Sequence, residues 1–155
     1  MRYLALIFCA FLVSGCSHSF ASMPAVGSAQ FQQIHAPSGT QPKIKGVTKI
    51  RPMQYQTIVI TGSGFGTMNP YNGDSAYLQI LDTTGGWSAG LKNGSQTDTV
   101  WLDVTKWSDN QIVIAGFTHG YGQSGWTLKK KDRIVVNVWN AQDGNGPATR
   151  NTRVK

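Results

Sequence analysis

The fold class follows from one stretch of the chain, Thr57-Ile58-Val59-Ile60-Thr61-Gly62-Ser63-Gly64-Phe65-Gly66. Its first five residues are all β-branched, which favours an extended strand. The glycines that follow allow a sharp bend or a bulge directly beyond that strand. The stretch therefore predicts a short strand that ends in a glycine-rich turn.

On either side of this stretch, six further segments either alternate between apolar and polar residues or carry β-branched runs. Turn residues separate them, the chain contains Asp but no Glu, and no segment shows a helical period. The predicted strands cover residues 44–50, 76–81, 99–104, 111–115, 133–139 and 149–154. Together with the first strand they predict an all-β fold, an immunoglobulin-like antiparallel β-sandwich of about seven strands.

The N-terminus has the features of an export signal. Arg2 is followed by an apolar run at residues 3–13, which is too short to span a membrane as a helix, and then by Ser14-Gly15-Cys16. The sequence Val13-Ser14-Gly15-Cys16 resembles the lipobox of bacterial lipoproteins. The resemblance implies that Cys16 is acylated and anchors the chain in the membrane, and that Ser17 directs it to the outer membrane.

An ordinary secretory signal, cut after Ser19-Phe20-Ala21, is the alternative, and it would release a soluble secreted or periplasmic protein. In both cases the protein lies outside the cytoplasm, and neither Cys9 nor Cys16 leaves a thiol in the folded part. We expect a lipoprotein signal peptide at 1–15, a flexible spacer rich in Ser, Ala, Gln and Pro at 16–42, and the β-sandwich domain at 43–155.

Three stretches in this order resemble the IPT/TIG immunoglobulin-like domain. Ile50-Arg51-Pro52 and Ile60-Thr61-Gly62-Ser63-Gly64-Phe65-Gly66 match its I-x-P and I-T-G-x-G-F-G opening. Trp107-Ser108-Asp109-Asn110-Gln111-Ile112 is similar to its W-S-D-x-x-I step, and residues 134–140 are similar to its V-x-V-x-N strand. The resemblance covers most of the predicted domain and implies an interaction or spacer module rather than an enzyme.

Composition argues against several other function classes. The formal charge of +7 would draw the protein towards anionic lipid headgroups or acidic polysaccharide, but export makes nucleic acid an unexpected partner. His119 is the only histidine in the predicted domain, so neither a catalytic triad nor a zinc site can be assembled. Asp143-Gly144-Asn145-Gly146 predicts a hairpin turn in preference to a calcium loop. We therefore expect no catalytic residue, no metal and no cofactor.

Aromatic residues supply the candidate binding site. Alternation in the 133–139 strand points Ile134 to the core and Trp139 outward, where Tyr77 of a neighbouring strand would join it. Insertions would add further rings at the edge of this platform, namely Trp87, Tyr121 and Trp126. The alternative is that the insertions fold over this face and bury the rings, whereas Trp107 is assigned to the core.

The sequence thus favours a lipid-anchored, non-catalytic binding or structural module of the cell envelope that mediates protein–protein interaction. A carbohydrate-binding module that stacks sugars on the exposed Trp and Tyr rings is the alternative function. Lys129-Lys130-Lys131 together with Arg133 forms a basic tip, which is either a solvated hairpin end or a contact with anionic headgroups.

Overall fold

A computed structural model describes residues 40–67, 73–90 and 100–155. These residues form strands and turns and contain no helix, hence none that is long and apolar enough to cross a membrane. The strands are β1 Lys43–Val47, β2 Tyr55–Ser63, β3 Leu78–Asp82, β4 Trp87–Ala89, β5 Trp101–Ser108, β6 Gln111–Thr118, β7 Arg133–Val138 and β8 Ala148–Arg153. The predicted signal peptide, the acylated Cys16 and nearly all of the spacer lie outside the described residues.

The strands form two four-stranded sheets with antiparallel neighbours. Sheet A has the order β1-β2-β6-β5, and sheet B has the order β4-β3-β7-β8. Ile58 and Ile60 of sheet A and Ile80 and Val136 of sheet B belong to one buried core. The all-β, immunoglobulin-like sandwich predicted from the sequence is therefore confirmed. The short strand β4 is additional, because its three residues lie in a segment that the alternation pattern assigned to an insertion.

The glycine-rich turn after β2 is fixed by the β5–β6 turn. The carboxylate of Asp109 accepts hydrogen bonds from the amides of Gly64 at 3.3 Å and Gly66 at 3.2 Å. The indole Nε1 of Trp107 donates to the carbonyl of Phe65 at 3.0 Å, and the amide of Ala141, beyond β7, donates to the same carbonyl at 2.9 Å. Three segments distant in sequence thus converge on fully buried Phe65.

Two bulges change the side-chain alternation in β5 and β6. Val104 pairs with Ile114 but the next pair is Lys106 with Val113, so Thr105 has no partner on β6. This extra residue brings Trp107 to the core side, where it is 6 % exposed, as the sequence predicted. A second shift lies between the pairs Asp103–Gly116 and Val104–Ile114 and leaves Ala115 without a partner.

The outer edge of β5 is partly covered. Val104 exchanges two backbone hydrogen bonds with Gly73, at 2.9 and 3.0 Å, and the amide of Leu102 donates to Asp74 at 3.2 Å. The amide of Gly90 donates to the carbonyl of Val100 at 3.1 Å. Because these backbone groups are occupied, this edge offers few free groups for pairing with another strand, and the faces of the sheets remain for binding.

Candidate functional site

The aromatic platform predicted on sheet B is wrong for two of its members, because Trp139 is 4 % exposed and Trp87 is 6 % exposed. β7 ends at Val138, and the following segment folds back, so that a Cβ on Gly146 would lie 3.2 Å from the Cα of Trp139. Alternation therefore no longer predicts where Trp139 points. Trp87 belongs to β4 and joins the core instead of lying at the rim of a platform.

The remaining predicted rings, those of Tyr77, Tyr121 and Trp126, are half-buried and lie against the core. Tyr121 stacks on Phe117 with ring centroids 5.3 Å apart, and its hydroxyl accepts the amide of Leu128 at 3.1 Å. Trp87 meets both of these rings edge to face, at 5.9 and 6.1 Å. Their placement agrees with the alternative in which the insertions fold over the rings.

Large exposed apolar side chains occur instead at Met53, Tyr55 and Trp101, which are 45 %, 72 % and 45 % exposed. Tyr55 begins β2 and Trp101 begins β5, so both rings belong to sheet A. Trp101 points away from the core because its neighbour Leu102 is buried. We call Met53, Tyr55, Trp101 and His119 the aromatic patch.

The register of sheet A places the two rings of the patch on either side of β6. Tyr55 pairs with Gly116, Gly116 pairs with Asp103, and Trp101 lies two residues before Asp103 on the same strand. From ordinary strand spacing and rise, the Cα atoms of Tyr55 and Trp101 are about 12 Å apart. On β6 the space between them is bordered by two small residues, Gly116, which carries no side chain, and Thr118, the direct partner of Trp101.

Glycine is required at position 116. Its φ is +149°, a conformation that L side chains rarely adopt, and a Cβ there would collide with the carbonyl oxygen of Gln54. That carbonyl accepts the amide of Phe117 at 3.0 Å, which holds the start of β2 close to β6. The close approach of the two backbones produces the flat floor of the patch.

His119 fixes the second ring of the patch. It lies in the turn after β6 with a φ of +26°, is itself exposed, and stacks on Trp101 with a centroid distance of 4.5 Å and an interplanar angle of 27°. A ring that is already held in one orientation loses less conformational entropy when a partner binds. His119 thus serves as a support for Trp101.

An open cleft of about 550 Å³ adjoins the patch on the side of Tyr55. Lys49, Arg51, Met53 and Tyr55 contribute to its lining. The side chain of Gln56 bonds to both backbone groups of Arg51, at 2.8 Å each, and to the carbonyl of Met53 at 2.7 Å. The turn before β2 is therefore braced, and it presents cationic and apolar groups side by side.

Carboxylates are brought together at one place, beneath the surface of sheet B. Asp82 and Asp132 are 1 % and 6 % exposed. Oδ1 of Asp82 accepts the amides of Thr84 at 2.9 Å and Gly85 at 2.8 Å, and Oδ2 of Asp132 accepts the amide of Lys129 at 2.6 Å. Burial, and secondarily the neighbouring Asp132, raise the pKa of Asp82 above its ordinary value. Both carboxyls hold turns and are inaccessible to a substrate.

Asp74 is a second carboxyl with an altered pKa. Burial raises its pKa, while the backbone amides of Leu102 and Ser75, which donate to its Oδ1 at 3.2 and 2.9 Å, act in the opposite direction. These bonds tie the segment before β3 to the edge of β5. The part of the chain that the structure describes contains no group of three or more His, Cys, Asp or Glu side chains positioned to hold a metal.

The sequence carries a signal for the exposure of Trp101, which the prediction of a platform on sheet B did not use. Trp101 alternates with the buried residues Leu102 and Val104. Alternation does not place Tyr55, because the register of β2 shifts between Tyr55 and Ile58. Alternation did not predict that the side chains of Trp139 and Trp87 are buried. Comparison of the chain with protein-family models, with curated proteins and with solved structures finds no match.

Proposed function

We propose that this protein is a non-catalytic binding module of the bacterial cell envelope and that acylated Cys16 anchors it in the outer membrane. In this proposal the module recognises a protein partner through the aromatic patch. The observation that carries the proposal is the exposure of Tyr55 and Trp101 on sheet A and of Met53 in the turn before β2. An IPT/TIG-type domain fits this role. In support, two of the stretches that resemble that family, residues 60–66 and 107–112, contact each other around Phe65.

The composition of the patch favours a protein partner. Tyr, Trp, Met and Arg are enriched at protein interfaces, and Arg51, Met53, Tyr55 and Trp101 supply all four types at one end of sheet A. Tyr and Trp also provide most interface hot spots, because a large rigid ring buries much area at little entropic cost. Trp101, already held by His119, has the geometry of such an anchor.

A glycan is the second candidate ligand, and the floor at Gly116 favours it. With only the small residues Gly116 and Thr118 of β6 between Tyr55 and Trp101, a sugar chain could lie across β6 and stack on one ring at each end. This site differs from the sheet B platform that the sequence suggested, whose rings are largely buried.

Site-specific photocrosslinking in cells tests the patch. A benzoylphenylalanine in place of Tyr55 in the full-length chain should give one discrete adduct, identified by mass spectrometry as an envelope protein. The adduct should disappear when Trp101→Ser is added, because the anchor ring is lost. The matched control places the photoprobe at Thr149, which is exposed on β8 of the other sheet. Equal crosslinking from both positions, or a saturable glycan interaction lost in Trp101→Ser without any protein adduct, would refute the protein-binding role.

The anchor is tested separately by intact mass and membrane fractionation of the wild type beside Cys16→Ala. A tri-acylated wild type in the outer-membrane fraction, with an unmodified variant, supports the lipoprotein assignment. An unmodified soluble wild type that begins near Ser22 would replace it with a secreted binding protein.

A further inference from the structure

The outer face of sheet B carries a groove at the end where β7 begins and β8 finishes. Its volume is about 450 Å³, and its polar lining comes from Thr83, Arg133, Asn151, Arg153 and Lys155. Arginine and lysine supply all of its charged side chains, and no Asp side chain lines it. The groove is therefore a positively charged concavity on the face opposite to the aromatic patch.

Its two arginines are held in an unfavourable arrangement. Arg133 and Arg153 are direct cross-strand partners in the β7–β8 register, and both are exposed on the side opposite to buried Ile134. Like charges directly opposite each other destabilise an antiparallel pair. Within the described residues, neither guanidinium nor the ammonium of Lys155 forms an ion pair that would offset this cost. An anion in the groove would offset it.

The aspartates adjacent to the groove in sequence do not line it. Asp82 and Asp132 precede Thr83 and Arg133 in the sequence, but both are buried and accept backbone amides of their own turns. The carbonyl of Arg133 accepts the amide of Thr83 at 2.9 Å, which fixes the backbone beneath the groove. The cations above remain available for a ligand.

Additional positive charge lies beside the groove. Lys129, Lys130 and Lys131 form the exposed turn before β7, and the amide of Lys131 donates to the carbonyl of Val154 at 2.9 Å. This bond ties the lysine turn to the end of β8. A planar guanidinium pair binds phosphate oxygens in bidentate fashion, and surrounding lysines add attraction over a longer range.

We propose that the groove formed by Arg133, Arg153 and Lys155 binds the phosphate of an anionic membrane-lipid headgroup. The choice of a lipid as the source of the phosphate rests on the proposed envelope location, since a domain tethered through Cys16 meets headgroups at high local concentration. Bound in this way, sheet B faces the membrane and the aromatic patch on sheet A faces away from it. The groove thereby orients the binding module.

Vesicle co-sedimentation of the mature chain from Ser17 onward, which lacks both Cys16 and the apolar run at residues 3–13, tests the proposal without any contribution from acylation or from the signal. The protein should bind vesicles that contain phosphatidylglycerol and leave pure phosphatidylcholine vesicles unbound. Replacing both Arg133 and Arg153 by Gln should weaken binding about 30-fold, because each cation at a membrane surface contributes roughly fivefold. The unfolding midpoint of this variant should not fall, since a repulsive pair is removed.

The matched control removes the same number of charges elsewhere, with Lys45→Gln and Lys106→Gln on exposed positions of sheet A. Its affinity should change less than about threefold, because screening weakens charges distant from the membrane. An equal loss of vesicle affinity in both variants would mean that the groove contributes only non-specific electrostatic attraction, and it would overturn the proposal. Binding of inorganic phosphate or acidic polysaccharide without vesicle binding would also overturn it. Since Cys16 is absent from the assay, its outcome is independent of the fractionation experiment.

Discussion

Two groups of aromatic side chains have opposite roles in the molecule. Trp87, Phe117 and Tyr121 contact one another in or against the core, whereas Tyr55 and Trp101 are exposed on the outer face of sheet A. Residues 116 and 117 connect them, since Gly116 floors the patch and Phe117 points inward from the same strand. Residue type alone therefore does not separate structural rings from binding rings. The strand register separates them, because it determines whether a ring faces the core or the solvent.

The two groups of rings also differ in what their surface area stabilises. Burial of an aromatic ring contributes several kcal/mol to folding, so the core rings are already used for stability. The area of an exposed ring is still available for association, and rings of this kind provide the hot spots of interfaces. Substitutions in the two groups should therefore separate loss of stability from loss of binding.

The largest expected effect is that of Phe117→Ala. The side chain is fully buried and contacts both Trp87 and Tyr121, so its removal should lower the free energy of unfolding by about 3–5 kcal/mol. Urea denaturation monitored by tryptophan fluorescence measures the change. A loss below about 1 kcal/mol would mean that the core rings are not held as described and would weaken the comparison.

The next effect concerns the residue between the two groups. Gly116→Ala should cost about 1–3 kcal/mol, because the φ of +149° strains an L residue and the new Cβ meets the Gln54 carbonyl. Gly144→Ala is the control, since Gly144 also has a positive φ, of +74°, but has no atom within 4 Å of its Cβ position. Equal unfolding midpoints for the two variants would show that the backbone contact at Gly116 does not matter.

The architecture was predictable from the sequence because alternation and turn residues are local signals. All seven predicted strands overlap an observed strand, as in β7, and the assignment of Trp107 to the core was correct. The sheet order follows the immunoglobulin arrangement, which a run of short strands with turn signals already favours.

The candidate site was not predictable in the same way. A bulge at Ala115 and the end of β7 at Val138 both depend on contacts with distant strands, and neither leaves a local signature that fixes which face a ring occupies. Alternation extended one residue beyond the end of β7 therefore predicted an exposed Trp139, whereas this side chain is buried. The exposed Trp101 was identifiable from its alternation with Leu102, but the stacking of His119 on it was not.

A third effect depends on pH and concerns the buried side of sheet B. Because the pKa of Asp82 is raised from its ordinary 3.8 in the folded state, the native protein binds a proton more tightly than the unfolded chain does. The free energy of unfolding should therefore decrease as the pH rises from the ordinary value of 3.8 through the raised native pKa. Asp82→Asn, which mimics the protonated acid and can donate to Asp132, should flatten this decrease. Parallel urea midpoints for wild type and variant across the window would contradict it.

The smallest expected effect is the stability change in Tyr55→Ser. The ring is 72 % exposed and lies on the outer face, so its loss should change the free energy of unfolding by no more than about 0.5 kcal/mol. The same substitution should nevertheless abolish partner binding measured by crosslinking from a photoprobe at Met53, because the patch loses its most exposed ring. Thr61→Ser, at an exposed position of β2 that does not line the cleft, is the control for substitution on this strand and should leave both quantities unchanged. A Tyr55→Ser protein that unfolds as readily as Phe117→Ala would place Tyr55 among the structural rings and remove the distinction between the two groups.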